Sequence, residues 1–241
     1  MELQRESNEK DLIDAMFQVG AHFGFSKSRR HPSVKSFIFG TKNRTEIINL
    51  EEVEKMLAKA EAYMETLGRE GKQVLFVGNK PEAMSAVIKA ATDMGGTYSR
   101  ERWIGGTFTN LPEIKKRLAR FEDLEGRKNR GELSIYPKKE IAVMEQELSN
   151  LKRFFIGLLP MKQLPTALVI VDPRKEATAL REAKKTGVTV VALAGSDCDI
   201  SEVDYPIVAN DASVASITFF VEKLAAAYLR GKKQAAAEAQ A

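Results

Sequence analysis

The chain has 241 residues, with 37 Lys and Arg against 33 Asp and Glu and a formal net charge of +4. Hydrophobic residues make up 44% and charged residues 29%, a balance that suits a folded chain with a sizeable core and excludes a disordered one. A single Cys198 and two histidines exclude an internal disulfide and a Cys/His zinc cluster. No apolar run approaches the ~18 residues that span a bilayer. Residues 1–10 carry no apolar signal region, so a soluble cytoplasmic protein is expected.

In chain order, residues 8–19 read as a short helix with Leu12, Ile13, Met16 and Phe17 on one face. Gly20, Gly24 and the stretch to Pro32 break it. Ser36–Phe39 and Glu46–Asn49 read as two short strands around a Gly40–Arg44 turn. Residues 51–69 form an amphipathic helix through Val53, Met56, Leu57, Ala60 and Met64, and Gly71 follows its end. Then a pattern repeats. Val74–Val77, Ala167–Val171, Val188–Leu193 and Pro206–Val208 are apolar runs without polar alternation. Helices are expected at 81–94, at 174–185 and from Asp211 to about 229. Strands apolar on both faces belong in a parallel sheet covered by helices on each side.

Residues 110–155 depart from that rhythm. Leu111, Ile114, Leu118, Phe121 and Leu124 are spaced 3, 4, 3 and 3, and Ile141, Met144, Leu148, Leu151 and Phe155 are spaced 3, 4, 3 and 4. Two narrow seams joined by a polar connector at 126–137 read as an antiparallel helical hairpin, a short coiled coil. Asn110 and Glu113 have the spacing of a capping box. The fold class expected is α/β: a three-layer α/β/α parallel sheet, flavodoxin/Rossmann-like, with an inserted antiparallel hairpin. Residues 1–109 and 156–230 make one domain with a basic N-terminal segment, 110–155 the hairpin, and 231–241 a disordered tail.

Charge distribution says more than net charge. From Ser26 to Arg44 the chain carries Lys27, Arg29, Arg30, His31, Lys35, Lys42 and Arg44, and no acid. An acid-free cationic stretch suits a polyanion such as RNA, where counterion release rewards unneutralised charge; it equally suits a solvated basic loop. A second cluster is Arg100, Arg102, Asn110, Lys115 and Lys116, and a third is Arg174 with Lys175.

Catalytic motifs are sparse. The turn Gly78-Asn79-Lys80-Pro81 lacks both the dinucleotide and the P-loop fingerprints, and a lone glycine there serves the strand-to-helix turn more often than a phosphate. His22 lies beside Phe23 and Phe25 with no partner that spacing certifies, which favours packing over a triad. Flanking Asp197 and Asp199 disfavour a Cys198 thiolate. Asp197, Asp199 and Asp204 are weak candidates for a hard cation, and such residues more often make turns. The loop Arg102-Trp103-Ile104-Gly105-Gly106-Thr107-Phe108-Thr109-Asn110 offers Arg102, Trp103, Thr107, Thr109 and Asn110 to phosphates and 2′-hydroxyls. On the other reading Trp103 plugs the base of the hairpin.

Several segments together resemble the bacterial small-subunit ribosomal protein S-two family. These are Gly20-Ala21-His22-Phe23-Gly24, Phe37 to Arg44 with Ile47–Leu50, Val74 to Lys80, Arg102 to Asn110, Leu164-Pro165 with Val169 to Glu176, and Asp204–Ile207 with Asn210-Asp211. The resemblance runs in order from about 12 to 230. Phe25 departs from it, standing where the family usually has a second histidine.

The resemblance implies a structural, non-enzymatic protein of the small ribosomal subunit. It would bind small-subunit (16S) ribosomal RNA near the head–body junction, touch neighbouring small-subunit proteins, and help dock ribosomal protein S-one through the hairpin. No cofactor is expected, with Mg2+ entering only through RNA. The rival expectation is a nucleotide- or sugar-phosphate-binding α/β enzyme using Gly78 or Gly105-Gly106 as a phosphate cradle.

Overall fold

A computed structural model describes residues 11–238. The first helix, α1, covers 11–18 of these; the part of the expected helix at 8–10 lies outside the described residues. A small antiparallel sheet follows, made of β1 (Phe23–Ser26), β2 (Ile38–Lys42) and β3 (Thr45–Ile48) in the order β1-β3-β2. Next come α2 (Leu50–Arg69), β4 (Val74–Val77), α3 (Pro81–Met94) and β5 (Thr97–Ser99). Then follow α4 (Leu111–Asn129), α5 (Lys138–Phe155), β6 (Ala167–Val171), α6 (Ala177–Thr186), β7 (Thr189–Ala194), β8 (Tyr205–Val208) and α7 (Val214–Glu238).

The five later strands form one parallel sheet in the order β5-β4-β6-β7-β8. Counted in chain order within that sheet, this is the 2-1-3-4-5 arrangement of flavodoxin-type folds. Both faces are apolar because alternate residues of one strand serve different cores. Val74 and Phe76 pack with Val53, Leu57, Val87, Phe220 and Leu224 of α2, α3 and α7. Leu75 and Val77 pack with Phe121, Leu124, Leu148, Leu151 and Leu180 of α4, α5 and α6. Burial on both faces is what removed polar alternation from these strands.

Several boundaries differ from the sequence expectation. Ser36 and Phe37 lie in a 3-10 segment, Pro32–Phe37, that seats Val34 in the core. The strand therefore begins at Ile38 and runs through Gly40 and Thr41 to Lys42. The turn is only Asn43-Arg44, with φ of 51° and 66°, the left-handed pair that a tight two-residue hairpin requires. β1 and β5 were not foreseen; β5 is three residues long, too short to show a period. The Asn110–Glu113 capping box does not form: Asn110 makes no side-chain cap, and Glu113 turns to Lys116 at 2.6 Å. The helix expected from 174 starts at Ala177, because Asp172 takes a positive φ of 64° and residues 173–176 complete the turn.

The tail expected to be disordered from 231 is helical to Glu238. Its Ala-rich sequence favours helix, and Gly231 pins it to α2. A β-carbon on Gly231 would overlap the Glu65 carbonyl oxygen, and one on Gly68 would overlap that of Tyr228. The two backbones touch where both helices lack side chains. Gly231→Ala is therefore expected to cost about 1–3 kcal/mol by forcing the helices apart. A urea midpoint equal to that of the parent chain would contradict this close approach.

Candidate nucleic-acid interface

In an open parallel sheet, ligands bind beyond the carboxyl ends of the strands where the order reverses, here between β4 and β6. That crevice is filled by the protein's own charges. Lys80 Nζ lies 2.5 Å from Asp172 Oδ2 and 2.8 Å from Asp211 Oδ2. Burial alone would lower its pKa, but the Asp211 and Asp172 carboxylates outweigh that and hold the ammonium charged. Cys198 Sγ sits 3.6 Å from Asp172 Oδ1, and burial pushes its thiol up, so it stays protonated and unreactive. Asp172, Cys198 and Asp211 place their ligand atoms within 4.8 Å of one another, and Lys80 provides the positive charge there. Glu176 accepts from the Asn79 backbone N–H and from Asn79 Nδ2 at 2.6 Å, and burial raises its pKa to about 7.

Neither glycine site of the rival enzyme reading is a phosphate cradle. A β-carbon on Gly78 would meet Val87 Cγ2 at 2.9 Å and Ala83 Cβ at 3.0 Å, so this glycine lets α3 close on β4. The Gly106 N–H is spent on Glu182. The Trp103–Thr109 loop wraps that one carboxylate. Glu182 Oε1 accepts from Trp103 Nε1 at 3.1 Å and Gly106 N at 2.7 Å. Its Oε2 accepts from Phe108 N at 3.0 Å, Thr109 N at 3.2 Å and Thr109 Oγ1 at 3.3 Å. Burial would raise the carboxyl pKa; the Gly106 and Phe108 N–H groups and the indole outweigh it, and the pKa is lowered.

Of the loop residues expected to face a polyanion, Trp103 and Thr107 are buried, whereas Thr109 is exposed with its N–H and hydroxyl turned to Glu182. Trp103 is 6% exposed, edge-on to Phe108, and Thr107 is buried with its hydroxyl on the Ile104 carbonyl. Their donors are occupied within the chain. The plug reading of Trp103 describes the loop.

The basic window is pinned over the carboxyl ends of β7 and β8. Phe25 N–H donates to Ser196 Oγ, His31 N–H to the Ser196 carbonyl, and Asn210 Nδ2 to the Gly20 carbonyl. Lys27, Lys35, Lys42 and Arg44 are exposed and have no ion pair among the described residues. Arg29 and Arg30 are different, because acids distant in sequence reach them. Arg30 pairs at 2.9 Å with Glu46, whose side chain is fully buried, and Arg29 pairs with Asp197 at 3.2 Å. The window is acid-free along the chain but not in space. His31 is half-buried, its Nδ1 2.8 Å from Ser33 Oγ and 3.7 Å from Asp199 Oδ1.

Of the second cluster, Arg102, Asn110 and Lys115 are exposed, Lys116 is paired with Glu113, and Arg100 is half-buried. Arg174 of the third cluster joins Arg29 at Asp197, while Lys175 is exposed. The weak metal candidates do not converge. Asp197 takes the two arginines, Asp199 accepts from Ser201 N–H and Oγ, and Asp204 accepts from the Val190 N–H. Glu182, Glu46 and Lys80 were not foreseen as organising residues; an isolated buried charge has no local pattern to announce it.

The fold is thus a doubly covered parallel sheet whose switch-point crevice is occupied by its own Lys80–Asp172–Asp211 ion pairs. The family described as Ribosomal protein S2 matches residues 16–231. Small ribosomal subunit protein uS2 from two strains of Chloroflexus aurantiacus is 39% identical over 222 residues, covering 92% of this chain and 93% of the relative. The protein of that name from Chloroflexus aggregans is 38% identical over the same span. The chain belongs to the Ribosomal protein S2 family, a family of non-enzymatic structural proteins of the small ribosomal subunit. No helix among the described residues is long and apolar enough to cross a membrane.

Proposed function

We propose that this chain binds small-subunit (16S) ribosomal RNA near the head–body junction. It does so by electrostatic anchoring, with Lys27, Lys35, Lys42 and Arg44 as the leading contacts and Arg102, Lys115 and Lys175 as outlying ones. The observation that carries the reading is the family match over nearly the whole chain. The exposed, unpaired cations on a tethered segment support it, because a backbone already held in place leaves only the side chains to be ordered on phosphates. α4 and α5 form the inserted antiparallel coiled-coil hairpin of this reading. The Arg120–Glu147 and Lys128–Glu145 ion pairs between them support it. Exposed Ile135 and Val143, 80% and 64% accessible, give that hairpin an apolar contact for neighbouring small-subunit proteins, ribosomal protein S-one included.

Because acids already hold Arg29 and Arg30, the window offers fewer free cations than its sequence suggests. Four contacts give a salt slope of roughly −3 to −4 in log K against log salt, at ~0.7–0.9 per phosphate. Filter binding to a small-subunit rRNA fragment measures this slope. Reversing Lys27, Lys42 and Arg44 to Glu together should abolish tight binding and release the protein from small subunits on sedimentation. A salt-independent affinity would refute electrostatic anchoring.

A further inference from the structure

Arg29 and Arg174 stand 145 positions apart in the chain and meet at one carboxylate oxygen. Arg29 Nη2 lies 3.2 Å and Arg174 Nη1 2.5 Å from Asp197 Oδ2. The Asp197 side chain is only 6% exposed, whereas the two arginines are 55% and 59% exposed. The acid is thus sunk beneath the pair and the guanidiniums lie above it. Arg29 is further held by Phe25, whose ring centre is 4.3 Å from its guanidinium carbon, a cation–π contact that uses none of its N–H donors. Each guanidinium has five N–H donors, and neither gives more than one to Asp197. The trio retains one net positive charge.

We propose that Arg29 and Arg174 form a preorganised fork for a single phosphodiester group of RNA, with Asp197 as the residue that positions both. Two exposed guanidiniums converging on one oxygen have N–H donors left over for a second anion placed outside them. Phosphate accepts guanidinium donors in bidentate fashion. Asp197 lowers the cost of holding two like charges together and removes the side-chain entropy that free arginines would lose on binding. The single residual charge matches one phosphate. This inference rests on the RNA-binding reading above, and adds to it a specific group that the window lysines do not provide.

The test is filter binding of the full chain to the small-subunit rRNA fragment across a salt series. Arg29→Ala and Arg174→Ala should each lower affinity by about tenfold to a hundredfold, the range for hydrogen bonds to charged groups. Each should also flatten the slope by about one phosphate's worth, roughly 0.7–0.9, because the remaining arginine is then neutralised by Asp197. The double variant Arg29→Ala with Asp197→Asn restores the net charge, so it should recover the slope but not the affinity. Thermal melts of each variant identify any loss due to unfolding, and Arg29→Lys, which keeps charge but not the fork, serves where Ala unfolds the chain. Parent-like slope and affinity in both single variants would overturn the fork while leaving lysine-based binding intact. A parent chain that does not bind the fragment would overturn both.

Discussion

Replacing Glu182 by Ala should destabilise the protein by roughly 3 kcal/mol or more, since it strands several buried donors at once and each costs about 1–3 kcal/mol unsatisfied. Trp103 Nε1 and the N–H groups of Gly106, Phe108 and Thr109 all end on this carboxylate, and the side chain sits on α6, across the second core from α4. Its loss should free the loop that launches α4. Glu182→Gln is nearly isosteric, yet it should be almost as damaging as Ala. Its amide nitrogen would face Phe108 N or Gly106 N, donor against donor, whichever way it is flipped. The readout is direct because Trp103 is the only tryptophan: its emission should shift to the red in both variants at temperatures where the parent chain is folded. The pH dependence follows from the depressed carboxyl pKa. Stability from this group is fully present above the unfolded value of about 4.3 and is lost as pH falls through the lower folded value. A Gln variant with parent stability would show that the carboxylate is not the loop's anchor.

That anchor also marks the limit of reading this chain from its sequence. The parallel sheet was legible because β4, β6 and β7 are apolar on both faces, a signal contained in four to six consecutive residues. The α4 and α5 seams were legible for the same reason, since Phe121, Leu124, Leu148 and Leu151 recur at helical spacing and are buried. The electrostatic site was not. Trp103 and Glu182 are separated by 79 positions, and Arg29 and Asp197 by 168. No window of sequence contains both members of either pair, so a buried carboxylate near an aromatic loop looks like any other helix-surface glutamate. Hence the loop at 102–110 was open to a phosphate-binding reading: its backbone donors do bind an anion, and the anion is Glu182. The same blindness made Arg29 and Arg30 look like free cations. β1 escaped notice because its residues, Phe23 to Ser26, are half-exposed and include Gly24, leaving no alternation to detect.

Lys80→Met is expected to cost about 3–5 kcal/mol, the range for breaking a buried ion pair from one side. The ammonium joins three segments, because it lies on the turn after β4 and reaches Asp172 after β6 and Asp211 after β8. Asp211 is 1% exposed, so water cannot replace the lost partner. The pH dependence separates this from a packing defect. Burial already raises the Asp211 carboxyl above its ordinary value with Lys80 beside it; without the ammonium that offsets this burial, it rises further. The variant's deficit against the parent should therefore be smallest below pH ~4, where Asp211 is protonated in the folded variant and largely so when unfolded, and should widen as pH rises through its raised folded value. Urea unfolding at pH 5 and pH 8 measures that widening. Adding Asp211→Asn to Lys80→Met should recover much of the loss at pH 8, since one carboxylate alone no longer repels a neighbour. A deficit equal at both pH values, and unrelieved by the second substitution, would mean that Lys80 acts through its methylene stem and not its charge. The crevice would then be closed by packing rather than by an ion pair.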